Sequence, residues 1–551
     1  MSTPNNVQSQ TTAKRLAKQS KLVRNYYARV PLEDLSHRST KELSAAAMSH
    51  WNMAANRKPH QSLVRIYNPT LKLHGWESQS TIVEITTTDK PFLVRSISLA
   101  ITNLGFSISE FIHPIFSVSR DKNGKMQGTV NDTKKHVISE SFMQLHIDRH
   151  YDEESFKQLE SVITEAINNV NLVCDDWEPM KAACKSAIDR LRATSPNTFE
   201  IAEAADFVKW LQRYYFTYTG YCELKTSGKT ATVTETHGLF RVDKPLATLN
   251  KYIHKDELLK AKKSDVLTIT KSMSKAPIML PIHMDVITFK RIDSKGRESG
   301  RCVIAGFFTP RAAGAELDSI PLLRQKAFNI IARADISPGA HDGKLLLSTL
   351  ESLPKDLLLQ TDEDTISDIC RGIMKLEHHP QVRAFGVYGH YNRFASCMVY
   401  VPRDLYSREL RQRVQHILQT ELNSDTIDFK AKFSSENALA SMHFFLSIPK
   451  PQKQPAEFSK IEKLIIDAVQ NWDENLRLAL FSELGEQQGS SIAMNLLRGV
   501  PDNYKENHTV SDATTDLALL SQLESETIDV LLYHTAAVSY THLTLPTICS
   551  V

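Results

Sequence analysis

The chain has 551 residues, of which 41% are hydrophobic, enough for several separate cores at roughly 100 to 200 residues per domain. Its 66 Lys and Arg against 63 Asp and Glu leave a formal charge of +3, too near balance for a field that demands nucleic acid or a membrane surface. Seven cysteines (Cys174, Cys184, Cys222, Cys302, Cys370, Cys397, Cys549) show no CxxC spacing, and no apolar run approaches the ~18 to 20 residues that cross a bilayer. Reduced thiols and the absence of a signal-peptide hydrophobic region in MSTPNNVQSQ make a cytoplasmic protein the expectation, with no membrane and no nucleic acid among its partners.

Residues 1–55 read as a basic leader and a docking helix. Lys14, Arg15, Lys18, Lys21, Arg24 and Arg29 occur with no acidic residue before position 33, which fits a transit peptide, an anionic-surface anchor or a leader running into a solvated helix. Leu16, Leu22 and Val23 make only a thin apolar face for an interfacial helix. Val30 to Trp51 then reads as one helix entered at Pro31.

The first domain is expected over 56–190. Its strands are LVRIYNP and Ile82 to Thr86, and its first helix is Pro91 to Leu104, where Leu93, Ile97, Ala100 and Leu104 share one face. Asp89 supplies an acceptor for the first turn, Pro91 tolerates its missing amide, and Gly105 ends the helix as a left-handed cap. DKNG at 121–124 signals a hairpin, and Ser141 to Arg149 alternates as a strand of a half-buried sheet. Glu153 to Asn169 is a second amphipathic helix. The order is β-α-β-β-α, a ferredoxin-like repeat with no evident final strand.

Residues 195–340 read as a sensor-like α+β domain: a helix through EAADFVKWLQRYY, then strands near Phe216 to Lys225, Gly238 to Val242, Val266 to Lys271 and Cys302 to Phe308. Residues 341–450 echo the first domain, with helices Lys344 to Ser352, Thr365 to Leu376 and Arg408 to Leu422 and strands Ser396 to Val401 and Ser441 to Ile448. The segment 451–510 holds the linker PKPQKQPAE, from Pro449, and a helix over Lys460 to Leu484. Residues 511–537 are expected to begin a third small domain, and 538–551, VSYTHLTLPTICSV, resemble a translated sequencing adapter with no fold of their own.

Chemistry-bearing motifs are few. The 19 glycines are about half of average usage, and no two are adjacent or separated by one residue, which excludes GxGxxG and with it the standard pyrophosphate cradle. GxxxxGK, GxSxG and HExxH do not occur either. His378 and His379 beside Glu377 lack a third ligand, so no metal is assigned. His341, Asp342, Gly343 and Lys344 in SPGAHDGK fit an anion nest or, alternatively, a turn and helix start. Trp210, Tyr214, Tyr215, Phe216, Tyr218 and Tyr221 fit a core cluster or a ligand box. No catalytic and no cofactor-binding residue is assigned.

The runs RKPHQSLVRIYNPT, DKPFLVRSISLAITNLG, IHPIFSVSRD, ESFMQLHIDR, FTYTGYCEL, SIPLLRQKA, SPGAHDGKLLLSTLESLPKDLLLQ and FASCMVYVPRD resemble the N-terminal half of the large bacterial NAD-specific glutamate dehydrogenases, over about Tyr27 to Leu523. The resemblance implies tandem ferredoxin-like (ACT-type) domains with an intervening sensor-like α+β domain and helical linkers. It implies a regulatory or assembly portion of an enzyme that converts L-glutamate, NAD and water to 2-oxoglutarate, ammonia and NADH. The catalytic core is then missing, NAD serves the parent alone, and this chain by itself is inactive. Implied partners are its own catalytic domain, further copies in a homo-oligomer and an amino-acid effector.

ACT domains usually start their first helix with Asp-x-Pro-Gly, and Phe92 stands in the place of that glycine. Effector-binding candidates are Asp89, Pro91, Phe92 and Asn103; the alternative is that Phe92 packs at an interdomain contact. A free-standing amino-acid-binding ACT-type sensor is the competing reading of the whole chain.

Overall fold

The computed structural model describes residues 14–522 apart from 130–136, 195–197, 228–229, 255–257, 259–265, 335, 338, 390–391, 434–438, 449–454, 470–471, 502–503 and 505–507. The proposed tail at 538–551 lies outside the described residues. Two compact units are formed, one running to Met374 and taking in Tyr388–Phe394, the other made of Lys375–Val387 and the chain from Ala395 onward.

The first unit opens with helices α1 (Lys21–Tyr26) and α2 (Thr40–Met53). The single helix expected over Val30 to Trp51 is divided, with one turn at Leu32–Leu35 before α2. Ser39 starts α2 with a capping box: its Oγ accepts from Glu42 N at 3.2 Å, and Glu42 Oε2 accepts from Ser39 N at 2.7 Å. That exchange satisfies two otherwise orphaned amides, which a helix running on from Pro31 would not offer.

The first sheet contains β1 (Leu63–Tyr67), β2 (Thr81–Thr88), β3 (Ile108–Ile112), β4 (Ile115–Arg120), β5 (Met126–Thr129) and β6 (Val137–Ile147). The strand order is β1-β2-β6-β4-β5, all antiparallel. β3 and β4 pair with successive stretches of β6 and so act as one strand bent at His113 and Pro114. Helices α3 (Leu93–Asn103) and α4 (Glu153–Asp175) complete the domain.

The strand that sequence left unfound after α4 is supplied from before the unit. β1 lies antiparallel to β2 at the edge a closing strand would take, so the order, with β3 and β4 taken as one strand, is β-β-α-β-β-β-α. The sheet is also not half buried. β6 is buried without a break from Glu140 to Ile147, because Phe142 packs with Tyr26, Leu43 and Ala47 of α1 and α2, while Met143, Leu145 and Ile147 point to the opposite face.

The middle domain joins α5 (Trp177–Thr194) and α6 (Phe199–Trp210) to strands β7 (Phe216–Ser227), β8 (Thr230–Gly238), β9 (Leu267–Lys275), β10 (His283–Ile292) and β11 (Glu298–Phe308), with α7 (Pro245–Tyr252) between β8 and β9. The sheet runs β8-β7-β11-β10-β9, antiparallel throughout. Two expectations need correction. The strand expected from Gly238 onward ends there instead, since Gly238 turns at φ +63 and a Cβ would meet Thr219 O at 2.4 Å. The helix expected through Tyr215 ends at Trp210, followed by a wide turn in which Tyr214 takes φ +67. β10 escaped notice because it is buried on both faces from His283 to Phe289 and lacks alternation.

Helices α8 (Leu323–Arg333), α9 (His341–Ser352) and α10 (Glu363–His378) follow. Glu203 of α6 receives the first of them, accepting Leu322 N at 2.8 Å and Arg324 Nε at 3.0 Å.

The second unit contains β12 (Arg383–Tyr388), β13 (Phe394–Pro402), α11 (Arg408–Glu421), β14 (Thr426–Phe433), β15 (Leu439–Ser447) and α12 (Phe458–Val469). Its sheet order, β12-β13-β15-β14, repeats β1-β2-β6-β4 of the first domain, with the edge strand again first in sequence. Gly386 of β12 lets α12 approach: a Cβ there would lie 1.9 Å from the Phe458 ring. Helices α13 (Trp472–Leu484), α14 (Glu486–Leu496) and α15 (Val510–Leu520) share a core of Leu476, Leu480, Ile492, Ala493, Ala513 and Leu517. The long helix expected over Lys460 to Leu484 is thus represented by α12 and α13, with 470–471 outside the described residues.

Candidate functional site

Asp89, Pro91 and Phe92 meet at the start of α3, but Asp89 does not cap it. Its Oδ1 accepts from Ser141 Oγ at 2.5 Å and its amide donates to Ser139 O at 2.8 Å, tying it to β6 instead. Phe92 is the N-cap residue at φ +73, so it holds the left-handed conformation a glycine supplies at no steric cost. Pro91 O accepts from Cys174 Sγ at 3.7 Å, and Lys90 pairs with Asp175 at 2.6 Å, which ties this corner to the end of α4. Asn103 is exposed at the far end of α3, about 15 Å along an eleven-residue helix, and is not brought to the other three. Buried Ser96 of α3 accepts the amide of Met279 from the middle domain at 3.0 Å.

His341, Asp342, Gly343 and Lys344 form the first turn of α9. His341 and Asp342 touch at 3.3 Å and are largely exposed, Gly343 is buried, and no side chain caps the turn. In the aromatic cluster, Trp210 stacks on Tyr215 at 4.3 Å, Phe216 meets Tyr218 edge-on at 5.4 Å, and only Tyr214 is well exposed. Among the described residues no group of three or more His, Cys, Asp or Glu is arranged to hold a metal ion.

A dense concentration of buried polar groups lies elsewhere, on the face of the first sheet that α1 and α2 cover. Glu84 of β2 is fully buried and accepts from Arg65 Nε, Tyr67 Oη and Gln144 Nε2, each at 3.0 Å. His50 of α2 bonds Tyr26 Oη at 2.8 Å and reaches Thr86 Oγ1 at 3.2 Å; burial pushes its pKa down. Glu140 sits between Arg57 and Arg120, at 2.7 and 2.6 Å, with all three side chains almost wholly buried. Arg57 and Arg120 spend their remaining donors on Gln61 O at 2.6 Å, Gly124 O at 2.8 Å and Ala54 O at 2.9 Å. This clamp locks the expected DKNG hairpin against the chain leaving α2.

Beside this face opens a cavity of about 530 Å³ lined by His37, Arg38, Glu42, Trp76, Glu77 and Arg149, among others. Arg38 Nη2 pairs with Glu110 and lies 3.4 Å from His146 Nδ1. Arg149 Nη1 donates to Ser78 O. Among the described residues, no acceptor reaches Arg38 Nη1, Trp76 Nε1 or Arg149 Nε, although all three atoms are buried, and the buried Glu110 Oε1 and His146 Nε2 are also without a hydrogen bond. Burial and then the Arg38 charge push His146 down to about 3, so it is neutral. Burial raises Glu110, against the pull of Arg38. Hydrogen bonds from Ser39 hold Glu42 below the usual carboxylate range. Sequence reasoning missed this place because its residues come from four separate stretches and form no motif; the nearest signal was the basic leader running into Arg38.

Comparison with known proteins follows the same divisions. Residues 22–163 match the family model for the glutamate dehydrogenase ACT1 domain, 320–379 that for helical motif 1, and 383–473 that for the ACT2 domain. The ACT1 match takes in α1 and α2, the helices that close the second face of its sheet, and the helices α8 to α10 fall in a motif of their own. The chain is similar to the NAD-specific glutamate dehydrogenase of Halomonas elongata, with 29% identity over 514 residues, 91% of this chain and 32% of that protein. It is similar to the same-named protein of Pseudomonas aeruginosa, at 28% over 512 residues, again 91% and 32%, and to that of Mycobacterium tuberculosis, at 20% over 498 residues, 87% and 30%. The chain spans about a third of the length of these curated relatives. With three domain matches in succession and similarity across nine tenths of its length, the chain belongs to the NAD-specific glutamate dehydrogenase family.

Proposed function

We propose that this chain is the control and assembly region of a cytoplasmic enzyme that oxidises L-glutamate with NAD and water to 2-oxoglutarate, ammonia and NADH. The observation that carries the reading is the pair of ACT-matched domains with one shared strand order, separated by a helical motif, in a chain similar to proteins named for that reaction. Hydride transfer and NAD binding are assigned to a separate catalytic domain, the chain's principal partner, within a homo-oligomer. The chain's own residues supply rigid framework: Ser96 with Met279 and Glu203 with Leu322 join successive domains of the first unit. The corner at Asp89, Pro91 and Phe92 is assigned to packing, as is the turn at His341 to Lys344.

Purified protein given L-glutamate and NAD is expected to produce no NADH above the blank; steady NADH production would overturn the division of labour. Reading the genomic locus past the codon for Ala537 is expected to reveal an in-frame continuation with a glycine-rich dinucleotide fingerprint. A stop codon there would refute the proposal in favour of a free-standing sensor.

A further inference from the structure

We infer that the hairpin of β9 and β10 in the middle domain is a conformational relay, through which a shift of α3 in the first domain changes the hold on the short helix Lys355–Gln360 of the helical motif. Its tip is a strained turn. Met279 takes φ +65, and Leu280 N donates across it to Ile278 O at 2.8 Å, a γ-turn of the rare, positive-φ form. Pro277 and Pro281 flank it, and the second holds Leu280 to extended backbone, so the turn has little room to relax within itself. Its support comes from the neighbouring domain: Met279 N donates to Ser96 Oγ at 3.0 Å, and Ser96 is fully buried on α3. A strained conformation persists only where its surroundings over-determine it.

Below the tip the two strands are cross-tied. Their register shifts between His283 and Asp285, and buried Ser272 spans the irregularity: its Oγ accepts from Met284 N at 2.8 Å, and its carbonyl accepts from His283 Nδ1 at 2.5 Å. Immediately beyond, Lys271 and Asp285 stand opposite one another and pair at 2.7 Å, and the same Lys271 Nζ reaches Asp356, in the first turn of Lys355–Gln360, at 3.1 Å. Lys271 and Asp285 are largely buried, so their charges are well satisfied in one geometry only, and a displacement of either strand is felt at Asp356. The hairpin thus has a strained contact with the first domain at one end and a three-charge contact with the helical motif at the other. Coupling between two such contacts is reciprocal. It concerns the chain's own mechanics, so its test fails independently of the glutamate assay.

Amide hydrogen exchange of the full chain, followed peptide by peptide, tests this. Ser96→Ala is expected to speed exchange about fivefold in 276–282 and also in 355–361, while 142–147 of β6 keeps the parent rate, which separates the relay from a general loosening. Asp356→Asn removes one of the three charges and is expected to speed exchange in 276–282 by a similar factor in return. Its side chain is 29% exposed, so this variant keeps the test intact if Ser96→Ala fails to fold. Met279→Gly takes the positive φ without strain, and combined with Ser96→Ala it is expected to bring 355–361 back to within about twofold of the parent. Exchange altered in 276–282 alone, acceleration spread equally over 142–147, no response of 276–282 to Asp356→Asn, or a double variant as fast in 355–361 as Ser96→Ala would each overturn the inference.

Discussion

Phe92 shows how a single side chain can depart from a pattern while its backbone keeps to it. The left-handed corner expected of a glycine is present at φ +73, and Leu322, which also follows a proline and precedes a helix, takes the same φ. Phe92→Gly is therefore expected to keep the native fold, with stability within about 1 kcal/mol of the parent, whereas Phe92→Val, β-branched at positive φ, is expected to lower the denaturation midpoint. Glu140 offers a larger effect. Removing it strands two buried guanidinium groups, so Glu140→Ala is expected to cost about 3 to 5 kcal/mol in chemical unfolding, and a loss below about 1 kcal/mol would contradict the clamp. His146 sets a pH dependence. Its folded pKa of about 3 lies below the ordinary value of 6.5, so the unfolded chain takes up the proton first as pH falls. Its contribution is constant above about pH 6.5 and is lost toward pH 3 by up to about 1.4 kcal/mol per unit. Glu110, raised by burial, acts in the opposite sense near its own range. Denaturation midpoints for His146→Gln are expected to fall less steeply between pH 6.5 and 4 than those of the parent.

At the scale of elements, period and capping were legible where one face alone decides. The helices over Leu93–Asn103 and Arg408–Glu421 each carry a clean apolar face, and each lies within a few residues of its expected place. Burial on both faces hid β10, because alternation vanishes when neither side meets water, whereas β6 was legible because Met143, Leu145 and Ile147 still alternate with Gln144 and His146. Capping decided the rest. Ser36, His37 and Arg38 look helical in composition, yet the Ser39 and Glu42 exchange starts α2 afresh; Ser39→Ala is expected to cost about 0.5 to 2 kcal/mol in thermal or chemical unfolding. Gly386 is a second such point. Nothing in the sequence marks it, but the Phe458 ring occupies the space of its Cβ, so Gly386→Ala is expected to destabilise the second unit.

For the molecule as a whole, family and domain types were legible in long runs such as SPGAHDGKLLLSTLESLPKDLLLQ, whereas the polar cavity was not. Arg38 and Arg149 are of a mostly exposed type, and neither they nor Trp76 and His146 form a motif until the sheet and α2 bring them together, because burial that depends on tertiary packing leaves no local periodicity. The strand order has a practical consequence. A fragment cut to the β-α-β-β-α pattern, from Thr81 to Asp175, discards β1 and uncovers the ladder groups of β2 along the sheet's edge, a template for pairing with other chains. A fragment from Lys14 to Asp175 keeps that edge closed and the second face covered. The shorter piece is expected to form large aggregates on size-exclusion chromatography and the longer one to elute as a discrete species, so this domain's border against self-association lies upstream of Thr81, where the β-α-β-β-α pattern starts.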